Sequence, residues 1–503
     1  MTVLIVLLLP LIATVLVCLP SKKAWAAGVT VVFSVATLIL AARVAWLVSE
    51  GNSVTVDLSA GWLKWIAVDG LSALILVLIA FVATTAAIFS VGYMARGNLK
   101  PGKLRLYYIN YNLFVFSMLA IPVLAEPTLV WIVVELTTLC SALLVSFENT
   151  REALEAAWKY VVLSLMGAGM ALFGFLVLFA AMQASGSPGA YTWSGLINAA
   201  PMMPSVLLQT AFLLILIGLG TKVGLVPMHT WLPDAHSQAP SPVCALLSGI
   251  ETTSILYVIL RLFPVMQAAP HSHAETWAVV LGLISVGTAA FLLLQVKDYK
   301  RMFAFSTVEH MGIILTAVGL GASVAGYGAM QQIVSHCVTK SFCFFAAGAV
   351  LIAAETRQIA AVRGLIRQSP FAGAALVFGG LAIAGAPPMA VFLSEFSILK
   401  AGLTQKEYLA TGLLAVFIVI AFFGIMLHIN RMVFGARENE NAAAPTNHLA
   451  ENENHEIFPL PFSCRTALII AAIPVFVLGF YIPQPLQNLL SQAAAVLTNH
   501  PSP

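Results

Sequence analysis

Apolar runs long enough to cross a lipid bilayer recur from one end of this chain to the other. A spanning helix needs about 20 predominantly apolar residues. On that ruler the sequence divides into about fourteen spans, near 2–19, 25–49, 70–92, 107–125, 127–147, 157–182, 205–227, 241–263, 275–295, 302–320, 328–354, 371–393, 408–434 and 464–483. Of its 503 residues 60% are hydrophobic and only 9% charged, where a soluble domain carries roughly 25% charged residues. Backbone groups in lipid must be satisfied within the segment, and continuous runs of this length do so as helices. The expected fold class is therefore all-α, a polytopic membrane bundle.

Composition excludes several functions. No basic cluster is interleaved with aromatics, so nothing points to nucleic acid. There is no GxGxxG fingerprint and no phosphate-binding loop, so no nucleotide or flavin cofactor is expected. The six cysteines, Cys18, Cys140, Cys244, Cys337, Cys343 and Cys464, form no CxxC pair. They read as small buried hydrophobes rather than cluster ligands, leaving the chain without a redox centre of its own.

Charge between the spans sets the expected orientation. Loops after odd-numbered spans hold Lys22, Lys23, Arg96, Lys100, Lys103, Arg105, Arg151, Lys159, Lys297, Lys300, Arg301, Arg357, Arg363, Arg367, Arg431 and Arg437. Loops after even-numbered spans hold little beyond Lys64, Lys400 and Lys406. The positive-inside bias puts the odd loops in the cytoplasm of a bacterial or archaeal inner membrane, with both termini outside. The first run precedes its lysines, the reverse of a signal peptide, and reads as a retained span. Residues 183–204 read as a short periplasmic excursion, and the polar stretch 436–458 as a cytoplasmic loop.

Two spans are interrupted, the seventh at GLGTKVGLVP and the twelfth at AIAGAPPMAVFLSEF, five helices apart. Matching breaks in two halves point to transporter-like repeats, inverted because five is odd. Freed backbone groups are tolerated only beside protein or water, so each break should border an internal polar path. The expected division is 1–106 for the first three helices, 107–263 and 275–434 for the two repeats, 435–463 for the polar loop, and 464–503 for the last helix and a short tail.

The charges inside the spans carry the chemistry. A lysine at membrane depth costs roughly 2.5–3.5 kcal/mol on insertion scales, so it faces a wet cavity or a carboxylate. Lys222 lies in the seventh span and Glu135 in the fifth. Burial disfavours the charged form of either group and pairing restores it, so a lysine that gains and loses its partner can bind and release a proton. In the second half His336 and Lys340, spaced i, i+4, share a helix face, and Glu395 follows the second break. Between the halves lie Glu251, Glu309 and His310. The last two are adjacent, so at most one is expected to face a central path. The KDYKR cluster (Lys297 to Arg301) reads as a topology signal. His229, Asp234 and His236, at the outer end of the broken helix, read as a proline-rich structural loop with no metal assigned.

These motifs resemble the antiporter-like membrane subunits shared by respiratory complex I, multisubunit cation/proton antiporters and group-four membrane-bound hydrogenases. The matching stretches are WIVVELTTLCSALLVSF, Lys222 with HTWLPDAHSQAPSPV, DYKRMFAFSTVEHMGIIL, HCVTKSFCFFAAG and GAPPMAVFLSEF, while ENTREALEAAWKYVVLSLMG looks most like hydrogenase-4 component F. The resemblance implies fourteen helices with two inverted five-helix repeats. It further implies proton translocation coupled to a redox module on other membrane and peripheral subunits. By position it carries over Glu135, Lys222, His336 with Lys340, and Glu395. Many relatives place a lysine or histidine on the eighth helix to link the halves, and here that position falls near Thr253, with Glu251 on a different face. Alternatives are a sodium/proton exchanger subunit and the membrane partner of a soluble zinc protein in inorganic-carbon uptake.

Overall fold

The computed structural model describes residues 1–19, 23–51, 54–55, 65–97, 99–186, 189–436 and 459–498. Lys22, Lys64, Arg437 and residues 437–458 of the polar loop lie outside them. The principal helices are α1 (Thr2–Cys18), α2 (Lys23–Ser49), α3 (Gly70–Ala95), α4 (Pro101–Ala120), α5 (Pro127–Val145), α6 (Arg151–Ala184) and α7 (Ser205–Val223). They continue as α8 (Ser241–Ala268), α9 (Ala274–Gln295), α10 (Tyr299–Gly319), α11 (Ala322–Ala354), α12 (Pro370–Ile383), α13 (Tyr408–Phe434) and α14 (Phe462–Val477). Among the described residues ten helices are long and apolar enough to cross a membrane, and α1, α12 and α14 are shorter apolar helices. The fourteenth, α4, carries the buried amides Asn110 and Asn112. The all-α expectation holds, apart from one short antiparallel pair, Val54–Thr55 with Ala67–Val68.

Helix starts differ from the hydropathy limits where the first turn is charged. α4 begins at Pro101, not near 107, because Lys103 and Arg105 sit in its opening turns. α6 begins at Arg151, not near 157, with Thr150 Oγ1 accepting from the Ala153 amide (3.1 Å). Such caps satisfy otherwise orphaned N–H groups, so a charged sequence starts a helix that hydropathy alone assigns to a loop.

Both breaks have the same construction. Each follows the pattern G-x-x-P, with Gly224 at φ 87 and Gly385 at φ 73. Past each glycine an amide reaches five residues back, Leu225 to the Gly220 carbonyl (2.8 Å) and Ala386 to that of Leu381 (2.9 Å). A half-helix resumes after each, Trp231–Gln238 and Ala390–Thr404. The repeated device agrees with two five-helix repeats. Where apolar helices have no hydrophobic reason to associate in lipid, small residues allow close approach. A Cβ on Gly167 of α6 would stand 2.5 Å from the Gly218 carbonyl oxygen of α7.

The bundle is stratified. α8 is buried along its length and α10 and α11 nearly so, whereas α2 and α13 expose most of their surface. Of the cysteines, five are buried and Cys18 is exposed, against the uniform burial expected. The tail, expected to be merely short, forms an amphipathic helix α15 (Gln484–Thr498), burying Leu489, Leu490, Ala493 and Leu497. Its polar side is tied down by Gln492 Nε2 donating to the Ser49 carbonyl (3.3 Å). It thus lies at the end of the bundle formed by the even-numbered loops.

At that same end Arg261 of α8 locks onto α3. Its guanidinium forms an ion pair with Asp69 and donates to Ser72 Oγ (2.6 Å) and Tyr257 Oη (2.9 Å). Burial would raise the Asp69 carboxyl, but the Arg261 guanidinium outweighs it and holds the group below its ordinary value. A carboxylate depressed on folding stabilises above its unfolded pKa and loses that contribution as pH falls through the folded one. We therefore expect Asp69→Asn to lower thermal stability in detergent by about 1–3 kcal/mol, between exposed and buried pairs because the Asp69 side chain is 42% exposed. That difference should be constant from pH 7 to about 5 and shrink below about 4.

Candidate functional site

A polar mouth forms where the odd-numbered loops meet. Asp234, in the first half-helix after the break, pairs with Arg301 (2.8 Å) and Lys159 (3.1 Å). Ser237 Oγ donates to Asp298 (2.6 Å), and Arg357 donates to the Ser237 carbonyl (2.6 Å) and Gln238 Oε1 (2.8 Å). The cavity here measures about 580 Å³ and is lined in part by Gln238, Lys297, Asp298, Arg301 and Arg357. Two expectations change. The segment of His229, Asp234 and His236 belongs to the odd-loop end, not the outer end. KDYKR is more than a topology signal: Lys300 is buried and donates to the Ala239 (2.5 Å) and Ser237 (3.2 Å) carbonyls, bracing the break.

Deeper in the first repeat, Lys222 occupies the last turn of α7, where the helix dipole favours a cation. Its ammonium donates to the Val134 carbonyl (2.6 Å), Thr137 Oγ1 (3.1 Å) and Thr138 Oγ1 (2.5 Å), all from α5. Three donors meet three oxygens, which makes burial of this charge tolerable. Glu135 stands one step off, its Oε1 3.9 Å from Nζ, and both its oxygens lack a hydrogen-bond partner among the described residues. The pair is an electrostatic contact rather than a closed hydrogen bond. On the far side Tyr160 Oη donates to Glu251 Oε1 (2.9 Å) and is itself within 2.7 Å of Ser141 Oγ.

The second repeat offers a similar cradle. Lys340 of α11 donates to the Phe303 carbonyl (2.6 Å) and Ser306 Oγ (2.5 Å) of α10. Glu309 lies in the field of both Lys340 and Glu395. His310 Nδ1 accepts from Gln332 (3.2 Å), which makes its Nε2 the donor to the Ile383 carbonyl (3.1 Å) freed by the second break. Ser394 closes this chain onto Gln332 Oε1. The Glu395 carboxylate rests against Gly385, where a side chain would collide with Oε2.

Glu309 and His310 are both buried: His310 meets Gln332 and the Ile383 carbonyl, and Glu309 lies in the field of Lys340 and Glu395. α10 is enclosed on all sides, so two faces meet polar neighbours.

α8 contributes to both clusters, through Glu251 on one side and Ser248 on the other. A π turn at Leu247–Glu251 displaces the register. Glu251 meets Tyr160 of α6, and the Ser248 carbonyl accepts from both His336 Nε2 (3.0 Å) and Thr252 Oγ1 (2.8 Å). Ser248 Oγ meets Thr307 Oγ1 at 2.6 Å, and the His336 and His310 rings stand 5.3 Å apart. Thr253 Oγ1 donates to the Gly249 carbonyl (3.1 Å) and accepts a Cys337 thiol contact (3.5 Å). Sequence reasoning missed Thr137, Thr138, Tyr160, Ser248, Thr307, Gln332 and Ser394. Their only signal is a hydroxyl or amide within an apolar run, which many helices carry to bond their own carbonyls.

A bundle with two G-x-x-P breaks, each beside a buried charge, defines a transporter-type membrane subunit. Residues 125–423 match the family model described as "NADH:quinone oxidoreductase/Mrp antiporter, TM", and residues 64–103 match the N-terminus of complex I chain 5. The chain belongs to this antiporter-like family of membrane subunits. It is 37% identical to a hydrogenase-4 component F homologue of Methylacidiphilum infernorum, over 83% of this chain and 85% of the relative. It is 26% identical to NADH-quinone oxidoreductase subunit N of Desulforudis audaxviator, over 86% and 85%. It is 31% identical to Na(+)/H(+) antiporter subunit A1 of Staphylococcus aureus over 67% of this chain but 43% of that one. The same fold, at 22% and 19% identity, occurs in an archaeal membrane-bound sulfane sulfur reductase and in the Mrp complex of Dietzia sp.. Each has a TM-score of 0.84 and covers 99% of this chain and 97% of the other.

The second break supplies a stability test. An alanine at Gly385 would take up a left-handed backbone and strike Glu395, at a cost of about 1–3 kcal/mol. Gly412→Ala, with open space at its Cβ, is the matched control and should leave the midpoint of thermal unfolding in detergent unchanged or raised.

Proposed function

We propose that this chain is the proton-conducting membrane subunit of a redox-driven complex, of the group-four hydrogenase or complex I-like kind. The observation that carries the reading is the pair of buried ammonium groups, Lys222 held by a helix carbonyl and two hydroxyls and Lys340 by a helix carbonyl and one hydroxyl, each with a carboxylate nearby. A lysine held this way can lose its proton without losing its seat, because the same oxygens accept from a neutral amine.

The proposed path starts at the mouth around Asp234 and Lys300. It passes Lys222 with Glu135, crosses α8 by the Ser248–His336 contact, and continues through His310, Lys340 and Glu309 to Glu395. Several polar atoms along it are buried without a hydrogen-bond partner among the described residues, among them Glu309 Oε2, His336 Nδ1 and Thr339 Oγ1. Buried polar groups of this kind are normally met by water, the medium a proton relay needs. The drive is a redox reaction on partner subunits that alters the Glu135–Lys222 contact. The relatives named above as hydrogenase-4 and quinone-oxidoreductase subunits support partners of that class. The basic odd-numbered loops support a cytoplasmic mouth, with both termini outside, in a bacterial or archaeal inner membrane.

Lys222→Ala in the native complex, reconstituted into vesicles, should cut redox-coupled proton uptake about a hundredfold or more, the usual scale for a positioned proton-transfer group. Unchanged pumping refutes the reading.

A further inference from the structure

Resting on the function just given, we propose that Glu251 is a second carboxylate for Lys222, the proton acceptor of the first repeat, and that Tyr160 positions it. Four helices of that repeat converge on one ring of contacts. Lys222 of α7 donates to Thr137 Oγ1 of α5 (3.1 Å), and Thr137 also faces the Glu251 carboxylate of α8. Tyr160 of α6 donates to Glu251 Oε1 (2.9 Å), and Ser141 of α5 closes the ring behind it (2.7 Å from Tyr160 Oη). Lys222 and Glu251 lie in each other's field, and Glu135 lies in the field of both. Glu251 is 1% exposed, and its Oε2 has no hydrogen-bond partner among the described residues.

The alternative, that Glu251 links the two halves, conflicts with the π turn. That turn directs Glu251 into the first repeat and leaves the crossing to the Ser248 carbonyl and His336. A buried carboxylate held by one phenol hydroxyl keeps a second oxygen for a proton. The step is a relay through Thr137, which touches both groups. An N–H bond of Lys222 breaks as an O–H bond forms on Thr137 Oγ1, and the hydroxyl's own O–H bond breaks as one forms on Glu251, leaving amine, hydroxyl and carboxylic acid with the net charge unchanged. Glu135, 3.9 Å from Nζ, then attracts the next proton to the amine from the mouth. Lys222 thus serves two carboxylates in turn, one on each side.

The test uses the native complex, tagged on this chain and reconstituted into vesicles. Redox-coupled proton uptake is measured beside infrared difference spectra of the carboxyl stretch on redox cycling. Glu251→Gln should reduce uptake about a hundredfold and abolish one carboxyl band, and Glu251→Asp should restore uptake in part. Tyr160→Phe, which removes only the hydroxyl, should shift that same band. If Lys222→Ala abolishes uptake while Glu251→Gln pumps like the wild type, this inference fails and the proposed function stands. If Lys222→Ala pumps normally, the function itself fails. Where Glu251→Gln does not assemble, Tyr160→Phe decides: an unshifted band overturns the assignment.

Discussion

The structure depends on how a positive charge is kept inside an apolar bundle. An ammonium group removed from water needs an oxygen for each of its three protons. At Lys222 those oxygens come from one stretch of α5, where Val134 supplies a main-chain carbonyl and Thr137 and Thr138 supply hydroxyls. None of the three is charged. The carboxylate of Glu135 therefore stays outside the hydrogen-bonded shell, close enough to act electrostatically and free to change partner. A tight lysine–glutamate bond would hold two helices together; a lysine satisfied by neutral oxygens beside an unbonded carboxylate can exchange a proton.

The breaks serve the same end. Each ends a helix at a glycine with positive φ and leaves backbone groups for other uses. In the first break the Thr221 carbonyl takes the Trp231 indole N–H (2.7 Å), and in the second the Ile383 carbonyl takes His310. In the π turn of α8 the Ser248 carbonyl accepts from His336 and from Thr252 Oγ1. At these three places irregular backbone is met by a polar side chain, the condition lipid imposes. These three places together outline the polar seam between the mouth and Glu395.

Much of this was legible in the sequence because membrane constraints are strong and local. The spans follow from run length, the two breaks from G-x-x-P within apolar runs, and the central charges from their rarity at that depth. The i, i+4 spacing of His336 and Lys340 puts them on one face of α11, and both are buried. What escaped detection depends on rotation about helix axes. Glu309 and His310 point apart on α10, and both meet polar groups because that helix is enclosed. That Glu251 meets Tyr160 depends on the π turn of α8, which the sequence does not announce. Lys300 looked like a surface charge because its sequence neighbours are charged, while the chain folds the break over it. Hydroxyls such as Thr138 and Ser306 carry no signal at all until the lysine that uses them is placed in space.

The central claim is that ammonium and carboxylate groups share mobile protons along a hydrated seam. A density map of the native complex, sharp enough to resolve bound water, tests it most directly. The account predicts ordered water against the partnerless atoms of Glu135, Glu251, Glu309 and His336, joining the mouth to Glu395. Dry apolar packing between those side chains would contradict it.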